Sequence, residues 1–310
     1  MTRERAMVPD PEFRSYYGQP IIKPPIWHEP HMPVYLYLGG LSGASSLLAA
    51  TCELAGRPRL AAPAKITAAL AGTAGAGFLV AELGRPERFL NMLRVFKPSS
   101  PMSVGSWILA AQSGLAAVAA GSEVTGLLPV VGNAAGLTTG ITGPLMATYT
   151  AVLVADTAVP SWHAGHRELP FLFAGSALAS AAAVAMVVAP PDQAGPARGV
   201  AILGAAVETA AGEVMERRLG LLAEPYRIGS AGRLMRAARA LTVGGGLLAA
   251  VAGFSSRRAP AVLSAAALTA GALCTRFAVL RAGRTAAMDP KYTVVPQREG
   301  LERRRRDAAG

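Results

Sequence analysis

Leu169 to Ala189 read LPFLFAGSALASAAAVAMVVA, twenty-one residues without a charge. A membrane-crossing helix needs about 20 mostly apolar residues. This stretch meets the requirement with nothing else in it, and the rest of the chain repeats it. Runs of the same kind are expected at 33–55, 61–83, 104–128, 136–158, 197–215, 237–255 and 260–280, giving eight spans with 169–189 as the fifth. The sixth and seventh are the weakest, because they carry Glu208, Glu213 and Arg239. Pro33, Pro63, Pro170 and Pro260 stand at or near span starts, where a missing N–H costs little. The expected fold class is an all-α integral membrane protein of eight helices in two four-helix bundles.

Composition agrees. Of 310 residues, 52% are apolar and 16% charged, against about 25% charged in an average soluble domain. That is too apolar for a disordered chain and leaves too little polar surface to cover one soluble core. Gly and Ala at this abundance suit helices packed closely in lipid. Residues 1–32 hold no long apolar core, so no cleavable signal peptide is expected.

The loops after the even-numbered spans are the longer ones, and both tails lie on their side. That face holds 24 of the 30 Lys and Arg residues. Positive charge collects on the cytoplasmic side, so both termini are expected there, in a multi-pass protein of the inner (cytoplasmic) membrane. The same asymmetry accounts for the net charge of +11 without nucleic acid as a partner. The division expected is a tail at 1–32, a first bundle at 33–160, a second at 161–281 and a basic tail at 282–310.

Several chemistries lack their residues. Cys52 and Cys274 are too few and too isolated for an iron–sulfur cluster or a zinc site. His28, His31, His163 and His166 all avoid the middle of a span, so bound haem is not expected, nor any metal in this chain. There is no dinucleotide fingerprint and no Walker loop.

The 2–3 loop, Ala81 to Leu109, reads AELGRPERFLNMLRVFKPSSPMSVGSWIL. Glu82 ends span 2. Arg85, Arg88, Arg94 and Lys97 then alternate with Phe89, Leu90, Leu93 and Phe96, the pattern of a helix lying in the interface. Pro98 and Pro101 stop it, and Ser103 can cap span 3. The run LGRPERFLNMLRVFKPSSPMSVGSW resembles the signature of the NrfD/PsrC family, the membrane subunits of polysulfide-reductase-type molybdoenzyme complexes. The segment YTAVLVADTAVPSWHAGHRELPFLFA, Tyr149 to Ala174, and the start of span 1, PVYLYLGGLSGA, are also similar. The likeness runs through nearly the whole chain outside the tails.

This resemblance implies a haem-free membrane subunit that binds quinone or quinol, either menaquinone or ubiquinone. It implies electron exchange with a ferredoxin-like four-cluster iron–sulfur subunit, which connects to a molybdopterin catalytic subunit in a respiratory electron-transport complex. The chain would not be catalytic alone. The resemblance places the quinone site in the first half, near the partner-facing surface, with donors from spans 1 and 4.

A quinone site needs hydrogen-bonding and proton-exchanging groups beside an apolar slot. The polar residues gathered near the loop-rich face supply candidates. Asp156, expected one turn inside span 4, is the leading one, because a carboxylate within a span is costly and by default functional. Tyr149 lies seven residues earlier, on the same face of that helix. Glu82 is the third proton-exchange candidate, although it could also simply pair with Arg85 or Arg88. His28, His31 and Tyr35, with Arg85 and Arg88, are candidate head-group contacts. The alternatives are that Tyr35 is an interfacial belt aromatic and that the histidines are solvated loop residues.

In the second half, Glu208 falls near mid-span and Arg276 near the inner end of span 8. They are read either as a proton path or as a structural pair. Mid-membrane Glu208 also leaves open a secondary transporter or ion channel. A passive anchor for soluble subunits is the third reading.

Overall fold

The computed structural model of the chain describes residues 20–83, 87–190, 193–255 and 257–307, with the side chains of Arg88, Leu90 and Arg303 excepted. The described residues are helical, with no strands. In chain order the helices are α1 (His31–Leu54), α2 (Pro58–Glu82), α3 (Glu87–Met92), α4 (Pro101–Thr125), α5 (Pro129–Ala155) and α6 (Pro160–Ala164). There follow α7 (Leu169–Val188), α8 (Gly195–Arg218), α9 (Glu224–Arg227), α10 (Gly229–Val251), α11 (Ala259–Met288) and α12 (Lys291–Asp307). A 3-10 turn, Gly220–Ala223, leads into α9.

Seven of these helices, α1, α2, α4, α5, α7, α10 and α11, are long and apolar enough to cross a membrane. The expected sixth span is α8. Its 24 residues are long enough, but Arg198, Glu208, Glu213, Glu216, Arg217 and Arg218 keep it outside that group of seven.

Local sequence sets the helix ends. Proline occupies an N-terminal position of α2, α4 and α5, where no intrahelical N–H is needed. Ser100, not Ser103, caps α4 by accepting from the Ser103 N–H at 3.4 Å. Ser103 instead turns back, accepting from Lys97 N–H and donating to the Val95 carbonyl. Gly126 ends α4 in the left-handed region. The expected interface helix of the 2–3 loop is shorter than its pattern: α3 stops at Met92, and Val95 and Phe96 lie exposed beyond it.

Three helices overrun their expected limits. α5 starts at Pro129, α10 at Gly229, and α11 continues to Met288. Hydropathy marks where lipid contact ends, whereas the backbone ladder needs no apolar side chains. Arg233, Arg236 and Arg239 therefore ride on α10, and Arg281 and Arg284 on α11.

Packing is close because side chains are absent at the crossings. A Cβ on Gly43 of α1 would lie 2.3 Å from the Gly143 carbonyl of α5, and the reverse holds equally. Gly175 of α7 and Gly204 of α8 meet in the same way, at 2.8 and 2.7 Å from each other's carbonyl oxygens. In lipid such contact supplies the dispersion energy that water would otherwise provide by exclusion. α1 packs on α2 and α5, and α4 on α5 and α2. α7 packs on α8 and α11, and α10 on α11 and α8. α1 links the two sets through α7 and α11. At the loop-rich end α6 touches α5, α11, α12 and the 3-10 turn.

Candidate functional site

At the loop-rich end of α1, α2, α4 and α5 lies a cavity of about 220 Å³. Its polar lining is His28, Glu82, Ser106 and Tyr149. Met32, Leu79, Met92, Met102 and Leu153 supply apolar walls, and Trp27 closes one side. A few convergent polar groups on an apolar slot is the general form of a small-ligand site.

Glu82 stands at the last position of α2 with its side chain only 9% exposed. Its Oε1 accepts from the His28 backbone N–H at 2.8 Å, and His28 Nδ1 lies 3.2 Å from the same oxygen. His31 Nδ1 is 3.7 Å from Oε2. That second oxygen is buried and has no hydrogen-bond partner among the described residues. A buried acceptor left open costs free energy unless something fills it. The two imidazoles are 72% and 40% exposed, so each joins the buried carboxylate to the surface. The His31 ring also packs on Phe78, with centroids 6.2 Å apart.

Tyr149 reaches the cavity because α4 has no side chain where the phenol lies. A Cβ on Gly105 would fall 1.6 Å from Tyr149 Cζ and 1.7 Å from its Oη. Ser106 follows on α4, donating to the Met102 carbonyl at 2.8 Å. Tyr35 of α1 is fully buried, with its hydroxyl beside that of Tyr149.

The structure thus gathers five of the sequence candidates, His28, His31, Tyr35, Glu82 and Tyr149, at one place. Asp156 does not join them. α5 ends at Ala155, so Asp156 is its C-cap, with backbone angles of −84° and 55°, and is exposed. The expectation of a buried carboxylate one turn inside the span is corrected, and with it the shared face with Tyr149. An acidic group at the negative end of a helix dipole is better accommodated in water than in the bundle. Arg85 lies outside the described residues. Arg88 is on α3, but its side chain lies outside them too.

Glu208 and Arg276 form a separate centre. Glu208 accepts from Thr275 at 2.7 Å and Thr242 at 3.1 Å, which ties α8 to α11 and α10. Arg276 donates to the Phe173 carbonyl at 3.1 Å and lies over that ring at 3.7 Å. The two charges are near enough to act on each other, yet no ion pair joins them directly among the described residues. The expected Glu–Arg pair is therefore replaced by threonine clamps. Arg276 Nε and Nη1 are buried without partners among the described residues.

Trp27, Ser106 and Gly105 were not singled out from the sequence. Trp27 sits in what reads as a polar, proline-rich tail, and Ser106 in the start of a span. The signal that could have found Gly105 and Ser106 is GSW at 105–107, a small-residue pair near the start of α4 facing an aromatic on α5; nothing local marks Trp27.

No curated protein matches the chain. The sequence profile described as polysulphide reductase, NrfD, matches residues 20–190. The match takes in α1 to α7 and the whole cavity, and it is narrower than the nearly full-length likeness expected. Because that match covers more than half of the 310 residues, the chain belongs to the NrfD family, membrane subunits of oxidoreductase complexes.

Proposed function

We propose that the chain is the quinone-reactive membrane subunit of an oxidoreductase complex, with the cavity at Glu82 and Tyr149 as its head-group site. The observation that carries this reading is the open, buried oxygen of Glu82 in an apolar slot whose other polar groups are a phenol, a hydroxyl and an imidazole. When bound, a quinone supplies exchange of two electrons together with two protons.

The residues suit that exchange. Glu82 Oε2 is placed to accept a proton from a hydroxyl or to share one with a carbonyl. His31 and His28, on the solvent side of that carboxylate, carry protons to and from water. Tyr149 donates a hydrogen bond across the cavity, with Ser106 beside it. Tyr35 stands behind Tyr149 and fixes the phenol's surroundings. The apolar walls exclude water and hold a ring.

The family supports partners that carry iron–sulfur clusters and a molybdopterin centre, docked where the cavity opens. We further read α8 as an eighth span, because it lies alongside α7 and α10 and its carboxylate at Glu208 is satisfied by threonines. That completes two groups of four, α1, α2, α4 and α5 against α7, α8, α10 and α11. Positive-inside bias supports both termini on the cytoplasmic side.

The test is titration of the full chain, purified with whatever subunits accompany it, with the fluorescent quinol analogue 2-heptyl-4-hydroxyquinoline N-oxide. Saturable binding that is lost in Glu82→Gln and weakened in Tyr149→Phe is expected, along with iron and molybdenum or tungsten in the purified assembly. Wild-type affinity in Glu82→Gln refutes the site. A metal-free single chain that binds no analogue favours the transporter reading.

A further inference from the structure

Three consecutive residues ahead of α1 are fastened to three different places. Trp27 stacks on Trp162, with ring centroids 5.4 Å and planes 22° apart, and its carbonyl accepts from Arg284. His28 is bonded to Glu82 of α2. Glu29 is held by α11: Arg281 Nε lies 3.1 Å from both carboxylate oxygens, Arg281 Nη2 is 2.7 Å from Oε2, and Arg284 Nη1 is 3.1 Å from Oε1.

The anchoring extends along a short piece of α11. Trp162 donates from Nε1 to the Val279 carbonyl at 2.7 Å. It also lies against Gly283, where a Cβ would come within 1.9 Å of Cε2. Val279, Arg281, Gly283 and Arg284 therefore either bind the segment before α1 or bind the tryptophan on which it rests. None of them lines the cavity, whereas Trp27 and His28 do.

The segment needs such anchors. Pro20, Pro24, Pro25 and Pro30 contribute no N–H, and residues 23–28 form no regular ladder, so tertiary contacts do most to fix it. A carboxylate gripped by the planar fork of one arginine and by a second arginine is a stiff joint.

Resting on the quinone reading above, we propose that Arg281 and Arg284 are positioning residues for that site. With Glu29 they form a clamp through which the second half of the molecule, beyond the matched residues 20–190, sets the wall of a cavity in the first half. They act through Trp27 and His28 and touch no ligand.

The experiment is the same analogue titration on the full chain with Glu29→Gln, Arg281→Gln, their combination and Arg281→Lys, with folding followed by size exclusion and thermal melting. Each single Gln variant is expected to raise Kd roughly tenfold, which is about 1.4 kcal/mol. The combination should lose no more than Glu29→Gln alone, because Arg281 acts only through Glu29, whereas Arg281→Gln by itself leaves Arg284 on that carboxylate. Arg281→Lys, which keeps the charge but not the planar fork, should recover only part of the affinity, a graded rescue that a loss of general stability would not show. Arg236→Gln, an exposed arginine on α10, should bind as wild type. Should Glu29→Gln not yield folded protein, Glu29→Asp replaces it and should fall between. Wild-type affinity in the Gln variants while Glu82→Gln loses binding overturns the clamp alone. Failure of the wild type to bind, or wild-type affinity in Glu82→Gln, overturns the quinone reading and the clamp with it.

Discussion

Replacing Gly105 by alanine adds one methyl group where the Tyr149 phenol already lies. The new Cβ would stand 1.6 Å from Cζ, 1.7 Å from Oη and 2.1 Å from Cε2. Ordinary carbon contacts begin near 3.5 Å, so the ring must move by on the order of 2 Å. It is buried between α1 and α4, and the free space beside it is the cavity of about 220 Å³. Overpacking of this kind costs about 1–3 kcal/mol, and replacing a helical glycine by alanine returns up to about 1 kcal/mol. The net loss is therefore roughly 0–2 kcal/mol, which the fold survives, while the displaced ring enters the space meant for a head group. The assay pairs thermal melting with the analogue titration. A melting point lower by a few degrees and a loss of binding of at least about tenfold are expected, the latter because the displaced ring occupies the head-group space. Gly114→Ala on the same helix, where a Cβ meets nothing within 4 Å, should leave binding unchanged and raise the melting point slightly. In a Tyr149→Ala background, Gly105→Ala should no longer destabilise. Wild-type binding and stability in Gly105→Ala would refute the placement of Tyr149 and the reasoning built on it.

Lys65 is 4% exposed and bridges Glu53 and Glu123 at 3.0 Å each, so Lys65→Met strands two carboxylates. A loss of roughly 2–4 kcal/mol is expected, somewhat under the value for a fully buried pair because both glutamates are partly exposed, with partial recovery when both become Gln. Thermal melting in detergent reads both. Gly283→Ala drives a methyl group into the Trp162 indole, and a loss of about 1–3 kcal/mol is expected by melting, with a shift in tryptophan emission. Tyr226 lies outside the spans, where burial raises its phenol well above the usual range while its hydroxyl donates to the Ser161 carbonyl. Tyr226→Phe should cost about 1 kcal/mol, and wild-type stability should begin to fall only above about pH 10, where an unfolded chain gains by ionising that phenol. A melting point that falls less between pH 9 and 11 in Tyr226→Phe than in the wild type checks the sign.

Much of the fold was legible in the residues because a helix in lipid must satisfy its backbone within itself. Uncharged runs such as 169–189 then have one structure open to them, and α7 follows that run to within a residue. Boundaries were less legible where charges ride on a helix. α10 and α11 carry arginines well past their apolar cores, because the backbone ladder does not register side-chain charge. The family motif and the gathering of polar residues at the loop-rich face were also open to reading, and Glu82, Tyr149, Tyr35 and the two histidines followed from them.

What the residues alone could not decide is which of these groups meet. Asp156 looked the best candidate on the cost of burying a charge, but one residue of helix separates a buried carboxylate from a solvated cap, and the helix ends at Ala155. Trp27 and Glu29 looked like tail. Trp27 nonetheless lines the cavity, and α11, some 250 residues later, turns Arg281 toward Glu29 and Arg284 toward the Trp27 carbonyl. Composition and periodicity report how each segment meets its solvent, which is a local property. Meetings between segments far apart in sequence depend on where close-packed crossings such as Gly43–Gly143 and a bare Gly105 let the helices settle, and only the assembled structure contains that.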